Sequence, residues 1–190
     1  ITKGVGDLDG KMAEEIIAFV ARVSNPSNQM NTETAPKLLG YLTKNKHWSP
    51  FEHVSMTLEI ETSRAIAAQI LRHRSFCFQE TSQRYSAVTE FCNYPARAQD
   101  LKNRQNSTDT LSQYDKIWFE MAQKEIQEHA AELYQEGLAK GIAKEQMRFL
   151  LPLSTKTKLY MTGSVRSWLH YIELRSANGT QLEHQTIALK

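Results

Sequence analysis

The 190-residue chain has few cysteines and no long apolar run. Its two cysteines, Cys77 and Cys92, are too few for a disulfide framework and are typical of a protein in a reducing, cytoplasmic compartment. No apolar run approaches the roughly 20 residues that cross a bilayer, so we expect no membrane partner. The sequence begins at Ile1 with neither a methionine nor a signal-peptide pattern, which predicts that a few terminal residues are missing.

The chain also lacks a large excess of charge of either sign. It has 23 Lys and Arg residues against 21 Asp and Glu residues, a net charge of +2. This balance gives no strong overall attraction to nucleic acid or to an acidic surface. A hydrophobic content of 41% is ordinary for a globular protein, and this length predicts a single domain over residues 1–190 with a substantial core.

Apolar residues spaced three and four apart predict that helices dominate the chain. Ser63 and Ser164 each precede such a pattern and are predicted as N-caps, and Gly137 and Gly141 are expected to break the longest helix. The predicted helices are residues 12–23, a short segment from about Pro36, the segment before Arg72, about 111–138, a short segment before Arg148, a segment carrying Val165 to Ile172, and a last helix opened by a Thr180-x-x-Glu183 capping box.

Alternating apolar residues predict the strands. Residues 54–60 have apolar side chains at every even position, which predicts a half-buried strand. A second strand near residue 160 has Leu159 and Met161 on one face. We expect a strand or extended arm over residues 85–94. The polar residues 98–110 are expected to form a mobile surface loop or a connection before a helix. These elements predict an α/β (α+β) fold with a mixed or antiparallel sheet flanked by helices.

The densest group of polar side chains is the stretch 72–86, which begins where an apolar helix is expected to end. It contains three arginines, and a guanidinium matches pairs of phosphate oxygens. Arginines near a helix end also complement its dipole, which is the simpler interpretation of Arg72 and Arg74. In an extended chain, however, Glu80, Ser82 and Arg84 would face one way. The combination predicts a site for a phosphorylated small molecule.

Two other kinds of site are weaker hypotheses. His47 and His53 are six residues apart, not four, and Pro50 interrupts any helix between them, so we expect a polar loop and no metal site. Cations near Cys77 would lower the pKa of a thiol nucleophile. Because Phe76 and Phe78 flank that cysteine, we expect it to be packed.

Two other functional classes stay open on residues alone. A nucleic-acid-binding module would use the same arginines on phosphates, with Trp48 or Tyr85 stacking on bases. No basic stripe extends beyond the cluster, which disfavours this class. A flavin-binding oligomer without transfer chemistry is the other alternative.

The stretch Arg72-His73-Arg74, followed by seven residues and Ser82-x-Arg84, resembles the signature of the flavin-dependent thymidylate synthases. The resemblance extends over nearly the whole chain. The further matching segments are Ala21-Arg22-Val23-Ser24, His47-Trp48-Ser49-Pro50-Phe51-Glu52-His53, Arg148-Phe149-Leu150-Leu151-Pro152-Leu153, Ser164-Val165-Arg166-Ser167-Trp168-Leu169, Leu174-Arg175 and Gln181-x-Glu183.

The resemblance implies a reaction, cofactors and an assembly. Members of that family make dTMP from dUMP for dTTP biosynthesis. Methylenetetrahydrofolate supplies the carbon, reduced FAD supplies the hydride and NADPH reduces the flavin again. No protein nucleophile adds to the pyrimidine. The family's α/β domain assembles as a homotetramer with shared active sites.

The resemblance also assigns roles to individual residues. It implies that Arg175 and Ser82 are catalytic, with Arg175 beside the uracil ring. The cofactor-binding residues that it implies are Ser24, His47, Ser49, Arg72, His73, Arg74, Glu80, Ser164, Arg166 and His170. The dUMP-binding residues that it implies are Gln69, Arg72, Glu80, Thr81, Ser82, Gln83, Arg84, Arg148 and Arg175.

Some positions depart from the family pattern. Gln83 stands where glycine is frequent and Gln79 where asparagine is common. Ser164 and His170 stand where asparagines occur. Gly179 stands where some members have a histidine that faces the flavin. Each departure concerns one contact.

Overall fold

The computed structural model describes residues 6–190, so the first five residues of the predicted domain lie outside the described residues. The chain forms two compact units. Unit 1 contains the residues up to Thr57 and Thr162–Tyr171, and unit 2 contains Leu58–Met161 and Ile172–Lys190. The single domain over residues 1–190 stays a prediction.

Unit 1 is built on helices. Helix α1 (Ala13–Ala21) and helix α2 (Ala35–Lys44) confirm the two helices predicted for this part of the sequence. Three short 3-10 helices accompany them: Gly6–Leu8, Pro26–Asn28 and Ser49–His53. The core of the unit consists of buried apolar side chains from α1, α2 and the 3-10 helix Ser49–His53, together with the residue that follows this 3-10 helix. These side chains are Ile16, Ile17, Leu42, Phe51 and Val54.

The main sheet has three strands, in the order β1-β5-β2. A second sheet pairs β3 with β4 in antiparallel orientation. The bounds of the strands are β1 Ser55–Ser63, β2 Cys77–Glu80, β3 Ala98–Gln99, β4 Ser107–Thr108 and β5 Lys156–Ser164. Along β5, Thr157, Leu159 and Met161 are buried, which confirms the predicted apolar face of that strand.

The remaining helices follow the predicted order. Their bounds are α3 Arg64–Ile70, α4 Gln113–Ala139, α5 Lys144–Met147, α6 Val165–Arg175 and α7 Leu182–Ala188, with a 3-10 helix at Arg148–Leu150. Ser63 caps α3, because its hydroxyl accepts the Ile66 backbone N–H at 3.4 Å. Ser164 accepts the Ser167 N–H at 3.3 Å. Both predicted caps are confirmed, and the α/β class with dominant helices is confirmed at this level.

Gly137 was predicted to break the longest helix, but it lies inside α4. A Cβ atom at this position would collide with the thioether of Met147, so the missing side chain makes room for Met147 to pack against α4. Met147 is 4% exposed and directly precedes Arg148. Gly141 does end this region, with a φ of 83° that favours glycine.

The predicted burial of β1 is wrong for half of its apolar face. Met56 and Leu58 are each 40% exposed, whereas Ile60 is 8% exposed. Alternation identifies the apolar face of a strand, but it does not show how much of that face the rest of the chain covers.

The polar segment 98–110 leads into helix α4, which agrees with the predicted connection before a helix. It also contains a small antiparallel ladder of β3 and β4 that was not predicted, and Asp100 within it accepts the Lys102 backbone N–H at 2.8 Å. The predicted capping box of the last helix is wrong. The N-cap of α7 is Gln181, not Thr180. The Thr180 hydroxyl instead donates to the Leu174 carbonyl at 3.4 Å, so no capping box forms.

Candidate active site

The arginine-rich stretch begins immediately after α3. Arg72 and Arg74 are exposed, and neither side chain makes a hydrogen bond or an ion pair with any residue between 6 and 190. Each guanidinium therefore keeps all five of its donors available. Donors of this kind suit phosphate or carboxylate oxygens.

His73, between these two arginines, is half-buried and contacts the last helical turn of α6. Arg175 Nε donates to His73 Nε2 at 2.8 Å. Because Nε2 accepts this hydrogen bond, the imidazole must be neutral with its proton on Nδ1. The contact fixes the Arg175 side chain from one edge of its guanidinium, and the two terminal nitrogens of that group can still bind a ligand.

Gln69 in α3 connects to α7 through both ends of its amide. Gln69 Nε2 donates to Gln181 Oε1 at 2.6 Å, and Gln69 Oε1 lies 3.2 Å from His184 Nδ1. His184 is fully buried. Burial, together with the nearby charge of Arg175, lowers the pKa of His184 to about 4.

Glu80, at the end of β2, is held by two donors. Arg64 Nη1 lies 2.9 Å from Glu80 Oε1, and the Thr157 hydroxyl donates to the same oxygen at 2.9 Å. Arg64 also donates to the Thr81 carbonyl at 2.6 Å. Arg64 was not predicted from the sequence as part of a site. Its signal was a cation in the first turn of a helix, where the dipole disfavours positive charge.

Ser82, Gln83 and Arg84 form a turn, so the predicted extended chain that would align Glu80, Ser82 and Arg84 on one side is wrong. The Ser82 hydroxyl accepts the Arg84 N–H at 3.3 Å, and the Ser82 carbonyl accepts the Ser86 N–H at 3.0 Å. These local hydrogen bonds compete with a strand.

Two side chains of this turn differ in what they contact. Arg84 Nε lies 3.3 Å from Glu145 Oε2 in an exposed ion pair. Gln83 Nε2 is buried and has no hydrogen-bond partner among the described residues. An unsatisfied buried donor costs roughly 1–3 kcal/mol unless a ligand or water accepts from it. The turn therefore offers a donor that a bound molecule can satisfy.

Arg148 is half-buried at the start of the 3-10 helix that follows α5. Its guanidinium carbon lies 5.3 Å from the centre of the Phe149 ring. Stacking on an aromatic ring leaves the edge of the guanidinium free for hydrogen bonds. All the predicted dUMP-binding residues therefore lie in unit 2. They are within residues 69–84 and at Arg148 and Arg175.

Unit 1 contains the other predicted cofactor-binding residues. Arg166 donates to Glu52 at 2.7 Å, and hydrogen bonds from Ser164 and Arg166 lower the pKa of the Glu52 carboxyl. His47 packs edge-on against Tyr41, with ring centres 6.0 Å apart. Three further residues have exposed side chains, namely Ser24, Ser49 and His170.

Cys77 is exposed, so the prediction that it is packed is wrong. Phe76 is buried while Cys77 lies on the opposite side of β2, as alternation requires. Within residues 6–190, no group of three or more His, Cys, Asp or Glu side chains is arranged to hold a metal ion. The same residues include no helix that is long and apolar enough to cross a membrane.

The residues fit a flavin nucleotide and a nucleoside monophosphate in charge and donor chemistry. Both ligands are anionic and rich in acceptor atoms. Arg72, Arg74 and the buried Gln83 amide supply donors that the described part of the protein leaves unused. Arg64 keeps Glu80 in place as an acceptor for hydroxyl or N–H groups.

Comparison with known proteins gives a consistent result. The family described as "Thymidylate synthase complementing protein" matches residues 8–190. A probable flavin-dependent thymidylate synthase of Paramecium bursaria Chlorella virus 1 is 58% identical, over 93% of this chain and 82% of its own length. A flavin-dependent thymidylate synthase of Synechocystis is 54% identical, over 100% of this chain and 88% of its own.

A solved structure is similar as well. The UMP/dUMP methylase PolB from Streptomyces cacaoi, crystallised with 5-Br dUMP, superimposes with a TM-score of 0.82 at 28% identity, over 94% of this chain and 83% of that one. Family match, sequence identity and structural likeness cover nearly the same residues. The chain belongs to the flavin-dependent thymidylate synthase family, as the Arg72-to-Arg84 signature predicted.

Proposed function

We propose that the protein is an FAD-dependent thymidylate synthase that methylates dUMP reductively to dTMP. The observation that carries this proposal is the set of unused donors on the family signature, Arg72, Arg74 and the Gln83 amide. Methylenetetrahydrofolate is the carbon donor and NADPH is the reductant. Bound FAD supplies the hydride.

The dUMP site is assigned to the residues of unit 2. Arg84 and Arg148 bind the phosphate. The Arg84 guanidinium is exposed and the Arg148 guanidinium stacks on the Phe149 ring, so both keep donors free. The Ser82 hydroxyl accepts the Arg84 N–H, so its own proton remains available for a phosphate or ring oxygen. Glu80, Thr81, Gln83 and Gln69 complete the site.

A bound phosphate can take over the Nε donor of Arg84 in addition to its two terminal nitrogens, for which the described residues supply no hydrogen-bond partner. The present partner of Nε, Glu145, forms an exposed ion pair, which contributes only about 0–1 kcal/mol. A phosphate offers a bidentate, charge-assisted contact, which is stronger. The exchange is therefore favourable, and Glu145 keeps Arg84 near the site in the absence of nucleotide.

Arg175 acts on the uracil ring. Its side chain is held by His73 at 2.8 Å, so the guanidinium is positioned before the nucleotide arrives. A fixed cation beside the ring stabilises negative charge that develops on the pyrimidine during methyl transfer. The neutral His73 ring does not offset that charge, whereas a carboxylate at the same place would.

Flavin binding is assigned to Arg72, His73 and Arg74, with Glu80 shared between the two ligands. We assign six further flavin contacts to residues of unit 1, namely Ser24, His47, Ser49, Ser164, Arg166 and His170. We further propose that the chain works as one domain and as a homotetramer. The exposed apolar face of α4, which includes Tyr114, Trp118 and Met121, supports association between copies.

The test is the visible spectrum of the purified protein, recorded before and after anaerobic addition of NADPH with and without dUMP. We expect a yellow flavin spectrum that bleaches faster with dUMP, followed by dTMP formation once methylenetetrahydrofolate is added. A colourless protein that also fails to take up added FAD would refute the proposed function. A flavin that bleaches without any dTMP product would support the noncatalytic flavoprotein instead.

A further inference from the structure

A chain of hydrogen bonds leads from a buried ion pair to Gln69, and we call it the amide relay. Its members in order are Arg97, Glu183, Gln181, Gln69 and His184. Arg97 Nη2 donates to Glu183 Oε1 at 2.6 Å, and the two side chains are only 15% and 11% exposed. Burial raises the pKa of Glu183, but hydrogen bonds from Arg97 and Gln181 outweigh it, so the pKa is lowered overall and the group is a carboxylate.

The carboxylate determines the orientation of every amide that follows. Because a carboxylate only accepts, Gln181 must direct its Nε2 group towards Glu183, and the two atoms are 2.9 Å apart. The Oε1 atom of Gln181 then lies at the other end of the amide and accepts from Gln69 Nε2 at 2.6 Å. Neither glutamine can rotate its amide by half a turn without placing two donors or two acceptors against each other.

The relay ends at a histidine whose tautomer follows from the same logic. With Nε2 of Gln69 directed to Gln181, Oε1 of Gln69 faces His184 Nδ1 at 3.2 Å. An amide oxygen only accepts, so His184 must carry its proton on Nδ1. His184 is fully buried and its pKa is about 4, so it is neutral near pH 7 and can exist as this single tautomer.

We infer that Glu183 and His184 are positioning residues, which lock the Gln69 amide so that its second N–H group is the one available to the nucleotide. This inference rests on the proposed function, because it takes Gln69 as a dUMP contact. At its Nε2 end the locked amide offers a donor and no acceptor. It therefore selects a carbonyl or hydroxyl oxygen of dUMP and opposes any ligand that presents an N–H group at that place.

The first test measures dUMP affinity of the flavin-loaded enzyme by titration calorimetry. His184→Leu removes the donor, and we expect dUMP to bind about tenfold more weakly. His184→Asn places an amide N–H where Nδ1 lies, and we expect it to restore most of the affinity. His129→Asn, at an exposed histidine of α4, is the matched control and should bind dUMP like the parent protein.

A double-mutant cycle separates positioning from a general structural effect. In a Gln69→Leu background, His184→Leu should weaken dUMP binding no further, since the amide that it orients is gone. If the two effects multiply, or if His184→Leu binds dUMP like the parent protein, the inference is wrong. If the parent protein itself takes up flavin but binds no dUMP, the proposed function fails and the inference fails with it.

The second test observes the tautomer directly and needs no nucleotide. In flavin-loaded protein with nitrogen-15 histidine, the ring signals of His184, assigned by their loss in His184→Asn, should show the Nδ1–H tautomer. Glu183→Gln retains the shape but can present either end of an amide to Gln181, so we expect the Nε2–H tautomer to become populated. Glu125→Gln on α4 should change nothing. An Nε2–H tautomer of His184 in the parent protein would overturn the inference.

Discussion

Arg64 and Arg97 are largely buried and each donates to a carboxylate, whereas Arg72 and Arg74 are exposed and contact neither acid nor amide among residues 6–190. The difference follows from the chemistry of the guanidinium group, which cannot lose its proton to escape burial. A buried arginine must therefore bring a counter-ion. Arg64 Nε and Arg97 Nη1 are still buried without a hydrogen-bond partner among the described residues, so what distinguishes these two arginines from Arg72 and Arg74 is the ion pair, not full use of the donors.

Arg175 belongs to neither group, because it is half-buried and donates to a neutral imidazole. These arginines therefore differ in the group to which each one donates. That group distinguishes an arginine that supports the structure from one that is free to bind a ligand. Sequence patterns show all five arginines alike.

Removing Arg175 should have the largest effect on activity. For Arg175→Ala we expect dTMP formation to fall by roughly 100-fold or more, since a preorganised charge beside the reacting ring is lost. Flavin content should be retained, because His73 and the exposed arginines remain. Turnover with saturating substrates is the measurement, and Arg104→Ala in the polar 98–110 segment is the control. Unchanged turnover would remove Arg175 from the reaction.

Removing Arg97 should have the largest effect on stability. Arg97→Leu leaves Glu183 buried without its counter-ion, and we expect the free energy of unfolding to fall by about 3–5 kcal/mol. Arg72→Leu, at an exposed and unpaired arginine, should change it by less than about 0.5 kcal/mol. Urea unfolding measures both. Arg97→Leu combined with Glu183→Leu should recover much of the loss, and a double variant that is still less stable would contradict this account.

The exposed arginines should show the opposite behaviour. Arg72→Ala and Arg74→Ala would each remove the charge-assisted hydrogen bonds that we propose to the flavin nucleotide, and such bonds typically contribute about 1.5–3 kcal/mol each. We expect FAD to bind roughly 10-fold to 100-fold more weakly, with thermal unfolding of the flavin-free protein unchanged. The measurements are the flavin-to-protein ratio after purification and a fluorescence titration with FAD. Full flavin occupancy in both variants would contradict the assignment.

Arginines are either paired when buried or left exposed, whereas a buried histidine can lose its proton. His184 is such a histidine. The charge of Arg175 opposes protonation of His184, and burial opposes it more strongly. Its folded pKa of about 4 lies below the usual 6.5, so the unfolded chain binds more protons between these values. This contribution to stability is complete above about pH 6.5 and is lost as the pH falls towards 4.

The folded and unfolded pKa values of His184 differ enough to make stability depend on pH. As the pH falls from 7 to 5, we expect the free energy of unfolding of the wild-type protein to decrease by on the order of 2 kcal/mol because of His184. His184→Asn should flatten the pH dependence by that amount, as measured by urea unfolding at both pH values. Parallel pH curves for the two proteins would show that His184 keeps an ordinary pKa in the folded state.

Sequence patterns predicted the local features of this fold well. Periodicity located α1, α4 and β5, and Ser63 was identified as a cap from its position before the apolar pattern. These features depend on neighbours within a few residues. The arginine-rich stretch was identified for the same reason, because its members are close together in the chain.

The features that sequence analysis missed depend on distant contacts. Arg97 and Glu183 are 86 positions apart, and the pair of Gln69 with His184 spans 115 positions. Nothing near either residue in the chain marks it as buried or paired. The turn at Ser82 was missed for a different reason, since alternating polar residues fit both a strand and a turn that is stabilised by side-chain hydrogen bonds.

The close packing of Gly137 against Met147 has a consequence for how variation in this protein is interpreted. Met147 can fill that space only while position 137 has no side chain, and the next residue in the chain is Arg148. A change of Gly137 to alanine would force the Met147 thioether to move, and Arg148, which we propose binds phosphate, directly follows that residue. If the displacement reaches Arg148, kinetics will record an altered affinity for nucleotide, although the cause is one added methyl group inside α4.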